Sequence, residues 1–186
     1  MYKYILPVVL TGLFSVDVTL ASEGQQQAES FANIYASTCI QHMTNLDELR
    51  EKLQAAPQLP PEKAAHFLAG REGQAWPVPD RHGTYVLVLH NDKNFCAVHA
   101  RRADTEAARE LFVKLVAAPV AMARSQIEVK QVTDEQRQTD ANGLVKTIAY
   151  EWSTPGAPRK MLFMLSTASS DTAQLQVLGS VSITRE

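Results

Sequence analysis

The spacing of apolar positions changes character along the chain. Phe31, Ile34, Tyr35, Thr38, Cys39 and His42 follow helical spacing and mark one face of an amphipathic helix ending near His42. Gln25 to Ser30, just before it, is polar and reads as a short frayed lead-in. Asn45 or Asp47 can cap a second helix carrying Leu46, Leu49 and Leu53, and Pro57, Pro60 and Pro61 break it. Pro61 suits a first helical position, so Glu62 to Ala69 is a third short helix closed by Gly70.

Beyond Gly70 the period becomes two. Gln74 to Pro79 predicts a short edge strand, because its prolines are tolerated only where no ladder bond is needed. Asp80 to Gly83 is a turn, and Tyr85 to His90 (YVLVLH) is apolar on both faces, as a central strand would be. Asn91 to Asn94 is a tight turn, and Phe95 to Ala100 returns. Asp104 can cap a fourth helix with Ala108, Leu111, Phe112 and Leu115 along one stripe, ending before Pro119. Four further strands are predicted: Ile127 to Thr133, Leu144 to Trp152, Arg159 to Thr167 and Ala173 to Thr184. Ser153 to Pro158 is a turn, and Asp134 to Gly143 reads as an exposed hairpin loop.

Three helices, then a mostly antiparallel sheet of six or seven strands with one inserted helix, make an α+β fold. A turn at Asp92-Lys93 sets Val86 against His99 and His90 against Phe95. Cys96 then shares the other face with Tyr85, Leu87 and Leu89. One domain over residues 22–186 suits the length.

Composition excludes some classes. Lys plus Arg number 18 and Asp plus Glu 20, a net charge of −2, which argues against a nucleic-acid binder driven by a strong positive field. Apolar residues at 45% and charged residues at 20% are those of a folded globular chain.

Met1 to Ala21 reads as a cleaved secretory signal peptide: Lys3, an apolar stretch from Ile5 to Phe14, and small residues at Thr19 and Ala21. Pro7 and Asp17 interrupt it as a membrane anchor, so no stable span is expected after cleavage. Export changes the meaning of the two cysteines. In an oxidising compartment Cys39 and Cys96 form the smallest disulfide framework, and no CxxC redox motif is present. Closing that loop would stabilise the fold by roughly 4 kcal/mol in the chain-entropy model.

Candidate chemistry is sparse. His42, His66, His82, His90 and His99 lack zinc-like spacing. His90 and His99 share a face, yet four residues of strand set them about 13 Å apart, too far for one ion. Ser166 to Ser170 carries no nucleophile motif and reads as a strand end and turn. Glu151 and Asp171 are isolated carboxylates. No catalytic residue, cofactor or metal is therefore expected. Partner-binding anchors are expected in loops beside the sheet: Trp76, His82, Arg101, Arg102 and Arg159.

FANIYASTC (Phe31 to Cys39), FLAGREGQAWPVPD (Phe67 to Asp80), FCAVHARRAD (Phe95 to Asp104) and MLFMLSTASSDTAQLQ (Met161 to Gln176) resemble a family of small exported Gram-negative proteins. The resemblance spans nearly the whole mature chain and implies a periplasmic destination. It supplies no catalytic signature. By analogy of size and compartment, the expectation is a non-enzymatic periplasmic binding protein, an immunity protein that neutralises a secreted toxin by occlusion. The alternative is an envelope enzyme or assembly factor whose site is assembled from residues distant in sequence.

Overall fold

The computed structural model describes residues 21–92, 94–117, 127–173 and 176–185. The export segment, apart from Ala21, lies outside the described residues. Helices α1 (Glu23–Tyr35), α2 (Leu46–Leu53) and α3 (Pro61–Leu68) precede strands β1 (Gly73–Val78), β2 (Thr84–His90) and β3 (Phe95–Arg101). Helix α4 (Thr105–Val116) follows, and then β4 (Glu128–Thr139), β5 (Gly143–Ser153), β6 (Arg159–Ala168) and β7 (Val177–Arg185). The strands form one antiparallel sheet in the order β1-β2-β3-β7-β6-β5-β4. This is the expected α+β arrangement. The last strand inserts beside β3 and so joins two meanders into one sheet.

Helix α1 starts earlier than its apolar pattern suggests. Ser22 accepts the Gln25 N–H at 3.2 Å, and Glu23 lies in the positive first turn. Gln25 to Ser30 is therefore helix rather than a frayed lead-in, and Gln27, Ala28 and Ser30 are buried. The helix then widens into a π-turn over Ala36–Ile40, where the Gln41 N–H reaches Ala36 O five residues back. Residues at four-residue intervals drift around a straight α-helix, and the wider turn cancels that drift. It keeps Cys39 in line with Phe31 and Tyr35, where it bonds Cys96 on β3 with a Cα–Cα distance of 5.4 Å.

Two phenols reinforce the staple. The Tyr35 hydroxyl donates to Ser180 O at 2.7 Å, and the Tyr85 hydroxyl donates to Gln27 O at 2.9 Å. Gly179 lies beneath α1 because any Cβ there would sit 2.7 Å from the Phe31 ring. Residues from α1, α2 and α4 pack with Leu87, Leu89, Val98, Phe163 and Leu165 into the main core. The Trp152 indole donates to Val116 O at 2.7 Å and ties α4 to β5. Helix α3 covers only the opposite face of β1 and β2, over Ala75, Val86, Val88 and Ala97.

The β2–β3 register is the expected one, with Val86 opposite His99 and Leu89 opposite Cys96. Two boundaries differ. Strand β4 runs on to Thr139, so Asp134 to Gly143 is mostly ladder rather than loop. β5 supplies its hydrogen bonds while solvent wets most of the strand, which removes the apolar alternation that marks most strands. Strand β7 begins at Val177 rather than Ala173, whose N–H instead donates to Ser170 O in a turn. Gln174 and Leu175 lie outside the described residues.

Candidate binding groove

One end of the sheet gathers segments far apart in sequence. The β1–β2 turn, the β3–α4 junction and the start of α1 meet around a notch of about 490 Å³ lined by Glu23, Asp80, Arg81, His82, Arg101 and Arg102 among others. Three of the expected anchors, His82, Arg101 and Arg102, are thus brought together. Arg159 is exposed at the opposite end of the sheet, at the Arg185 position of the β6–β7 backbone register. Trp76 is no surface anchor. The register places it opposite Leu87 on the core face of β1, and it is 2% exposed. An edge strand lacks a neighbour on one side, yet it still buries one face.

The notch is built rather than frayed. Asp80 Oδ1 accepts the His82 N–H at 2.8 Å, which closes the turn. Arg81 Nε donates to His82 Nε2 at 2.8 Å, so a neutral His82 carries its proton on Nδ1. Gly83 packs directly on the Tyr85 phenol, 2.7 Å from where a Cβ would be. Burial pushes the Tyr85 hydroxyl up to about 12, keeping it a neutral donor.

Arg102 adopts φ +63°, in the left-handed region that non-glycine residues avoid. Its neighbours impose that conformation. Arg101 is held in the ladder against Thr84, and Asp104 is fixed as the cap of α4, accepting the Ala107 N–H at 2.8 Å. The Asp104 N–H also donates to Gly24 O at 3.0 Å. Two consecutive arginines consequently point from a pinned corner. Three cations and two carboxylates line the notch, so it favours anionic groups locally although the whole chain is slightly acidic.

Arg101 also borders a second cavity, of about 580 Å³, between α3 and the α3-covered sheet face. Leu59, Phe67, Pro77, Tyr85 and Val86 make its walls, while Lys63, His66 and Arg101 supply its basic groups. Among the described residues no acidic side chain lines it. The ring of Phe67 stands edge-on to His99 at 5.2 Å. His99 is 6% exposed, its Nδ1 has no partner, and burial depresses its pKa to about 4. It is a neutral ring at physiological pH. A third hollow, of about 540 Å³, continues past Arg102 to Ser169 and Asp171.

The other candidate side chains are dispersed. His90 is buried and stacks on Phe95 at 4.2 Å, and Arg50 on α2 donates to its carbonyl. His42 lies 3.8 Å from Glu48. Ser166 hydrogen-bonds Thr147 at 3.0 Å and Ser170 hydrogen-bonds Thr172 at 2.8 Å, a strand end and turn as expected. Glu151 lies 3.6 Å from Lys160. Among the described residues no three His, Cys, Asp or Glu side chains gather as metal ligands do, and no helix is long and apolar enough to cross a membrane.

Sequence reasoning missed the apolar cleft. Leu59 precedes the predicted third helix, Phe67 falls within it, and Pro77 falls in the predicted edge strand, so no local pattern links them. Only the docking of α3 across β1 and β2 brings them together. Comparison with known proteins matches this chain to no family model, no curated protein and no solved structure.

Proposed function

We propose that this chain is a non-enzymatic binding protein of the periplasm, an immunity protein that occludes a secreted toxin, and that the groove around Arg101 is its docking surface. The observation that carries this reading is the convergence of His82, Arg101 and Arg102 on a rigid basic corner beside an apolar cleft. An apolar centre with a polar, charged margin is the usual anatomy of a protein interface, and Arg is enriched among its strongest contacts. The Cys39–Cys96 bond suits an oxidising compartment. Occlusion needs neither a cofactor nor a metal, and a net charge of −2 does not favour nucleic acid as the partner.

The test is an Ala scan of the groove and the Thr154–Lys160 turn, scored as protection against the product of the adjacent gene. Arg101→Glu and Arg102→Asn should abolish protection with the melting temperature preserved; Asn tolerates the left-handed backbone at position 102. If protection survives both changes while a single buried substitution such as His99→Asn removes it without unfolding, the envelope-enzyme alternative replaces this reading. Intact mass of the periplasmic protein should correspond to a chain beginning at Ser22.

A further inference from the structure

The two edges of the sheet are treated differently. β1 is short, contains Pro77, and has its Ala75 carbonyl occupied by the Leu59 N–H at 2.8 Å. β4 is twelve residues long, and among the described residues no other segment hydrogen-bonds to its outer side. A long open edge is a template for another strand. Val132, at its midpoint, is 42% exposed and is the one exposed large hydrophobic among the described residues.

The bulge at Val132 rearranges the faces of this edge. Glu128, Lys130, Thr133, Glu135 and Arg137 lie opposite Ser153, Glu151, Ala149, Thr147 and Val145. Those β5 partners alternate strictly, so the five β4 residues share one face although their numbering changes parity at the bulge. Without the extra residue, Lys130 and Glu135 would point to opposite sides.

We propose that two copies of this chain pair through their β4 edges, antiparallel, about a two-fold axis at Thr133 that is perpendicular to the sheet. In that register Lys130 of one copy faces Glu135 of the other, and Glu128 faces Arg137. Symmetry repeats each contact, so four opposite-charge pairs flank the axis, with the two Val132 side chains beside it. A slip of two residues in one direction sets Lys130 against Arg137, and in the other sets Glu128 against Glu135. Neighbouring registers are thus penalised by like charges. The contact is isologous and closes after two copies, joining two seven-stranded sheets into one. It lies at the far edge from the Arg101 groove and leaves that groove open in both copies.

Sedimentation velocity on the mature chain should show a reversible dimer at about 100 μM, as expected of a weak interface at the small end of the size range. K130E and E135K should each weaken it at least about ten-fold, since each places two like-charge contacts across the axis. An equimolar mixture of the K130E and E135K chains should recover the dimer as a heterodimer, and the K130E/E135K chain should recover it alone. Thr133→Cys should crosslink to its own copy under oxidation, whereas Gln138→Cys should not. A chain that stays monomeric at 200 μM refutes the proposal. So does a dimer that ignores both charge reversals or fails to crosslink at Thr133→Cys.

Discussion

Among the described residues, the β1–β3 half of the sheet is sandwiched between layers, whereas the β5–β6 half is covered on one face. In β2 and β3, Leu87, Leu89 and Val98 face α1 and α2 while Val86, Val88 and Ala97 lie beneath α3, all of them buried. In β5 and β6, Ile148, Phe163 and Leu165 are buried on the α4 side, but Thr147, Met164 and Ser166 opposite them are only half-buried. Burial on both faces gives the unbroken apolar string YVLVLH, and burial on one gives alternation. The proposed binding groove lies on the rim of the sandwiched half. The proposed dimer edge borders the half left open.

The sandwiched half should fail first when its staple is removed. Cys39→Ala opens a loop spanning 57 residues that ties α1 to β3. The expected loss is about 2–5 kcal/mol in urea unfolding, the usual cost of removing a native disulfide. Hydrogen exchange should show the loss concentrated in α1, β2 and β3, with β5 and β6 less affected. A uniform loss would mean that the two halves unfold as one unit.

The next largest effect is a pH dependence confined to the same half. His99 is buried under Phe67, and its pKa falls from 6.5 to about 4. Above pH 6.5 the ring is neutral in both folded and unfolded chains, and stability is full. Below that, the unfolded chain takes up a proton that the folded chain refuses, so stability declines as pH falls toward 4. The expected total is up to about 3 kcal/mol, because each tenfold loss of proton affinity on folding is worth about 1.4 kcal/mol. Burial lowers the His90 pKa as well and adds to the slope. Unfolding of His99→Leu between pH 7 and 4 should show a shallower slope than the parent chain. Equal slopes would show that His99 is not held neutral by the α3 layer.

Much of the fold was legible because much of it obeys one period at a time. The β2–β3 register and its Cys96 face followed from Asp92-Lys93 as the turn, and they place the disulfide correctly. β4 was only half visible. EVKQVTDEQRQT carries no core-facing alternation because most of it is wet, so its second half looked like a loop. The start of α1 was hidden for the opposite reason. Gln27 and Ser30 are polar yet buried, so a cap at Ser22 locates the helix start better than hydropathy does. The groove was partly legible: three of the five residues expected as anchors, His82, Arg101 and Arg102, line one notch, but the apolar cleft depends on a helix–sheet contact that local sequence does not encode.

The smallest effect gives the sharpest comparison between the halves. Val88 and Met164 both face the α3 side of the sheet, Val88 in the sandwiched half at 0% exposure and Met164 half-buried in the open half. Val88→Thr keeps the shape and inserts a hydroxyl where Ala64, Leu68 and other apolar groups surround it. An unpaired buried hydroxyl should cost about 1–3 kcal/mol. Met164→Thr inserts the same hydroxyl beside Ser180, its register partner, within reach of water, and should cost under about 1 kcal/mol. The two proteins can be compared by urea unfolding at low concentration, where the proposed dimer is dissociated. If Met164→Thr proved as costly as Val88→Thr, the face over β6 would have to be covered in solution, and the contrast between a sandwiched and an open half would fail.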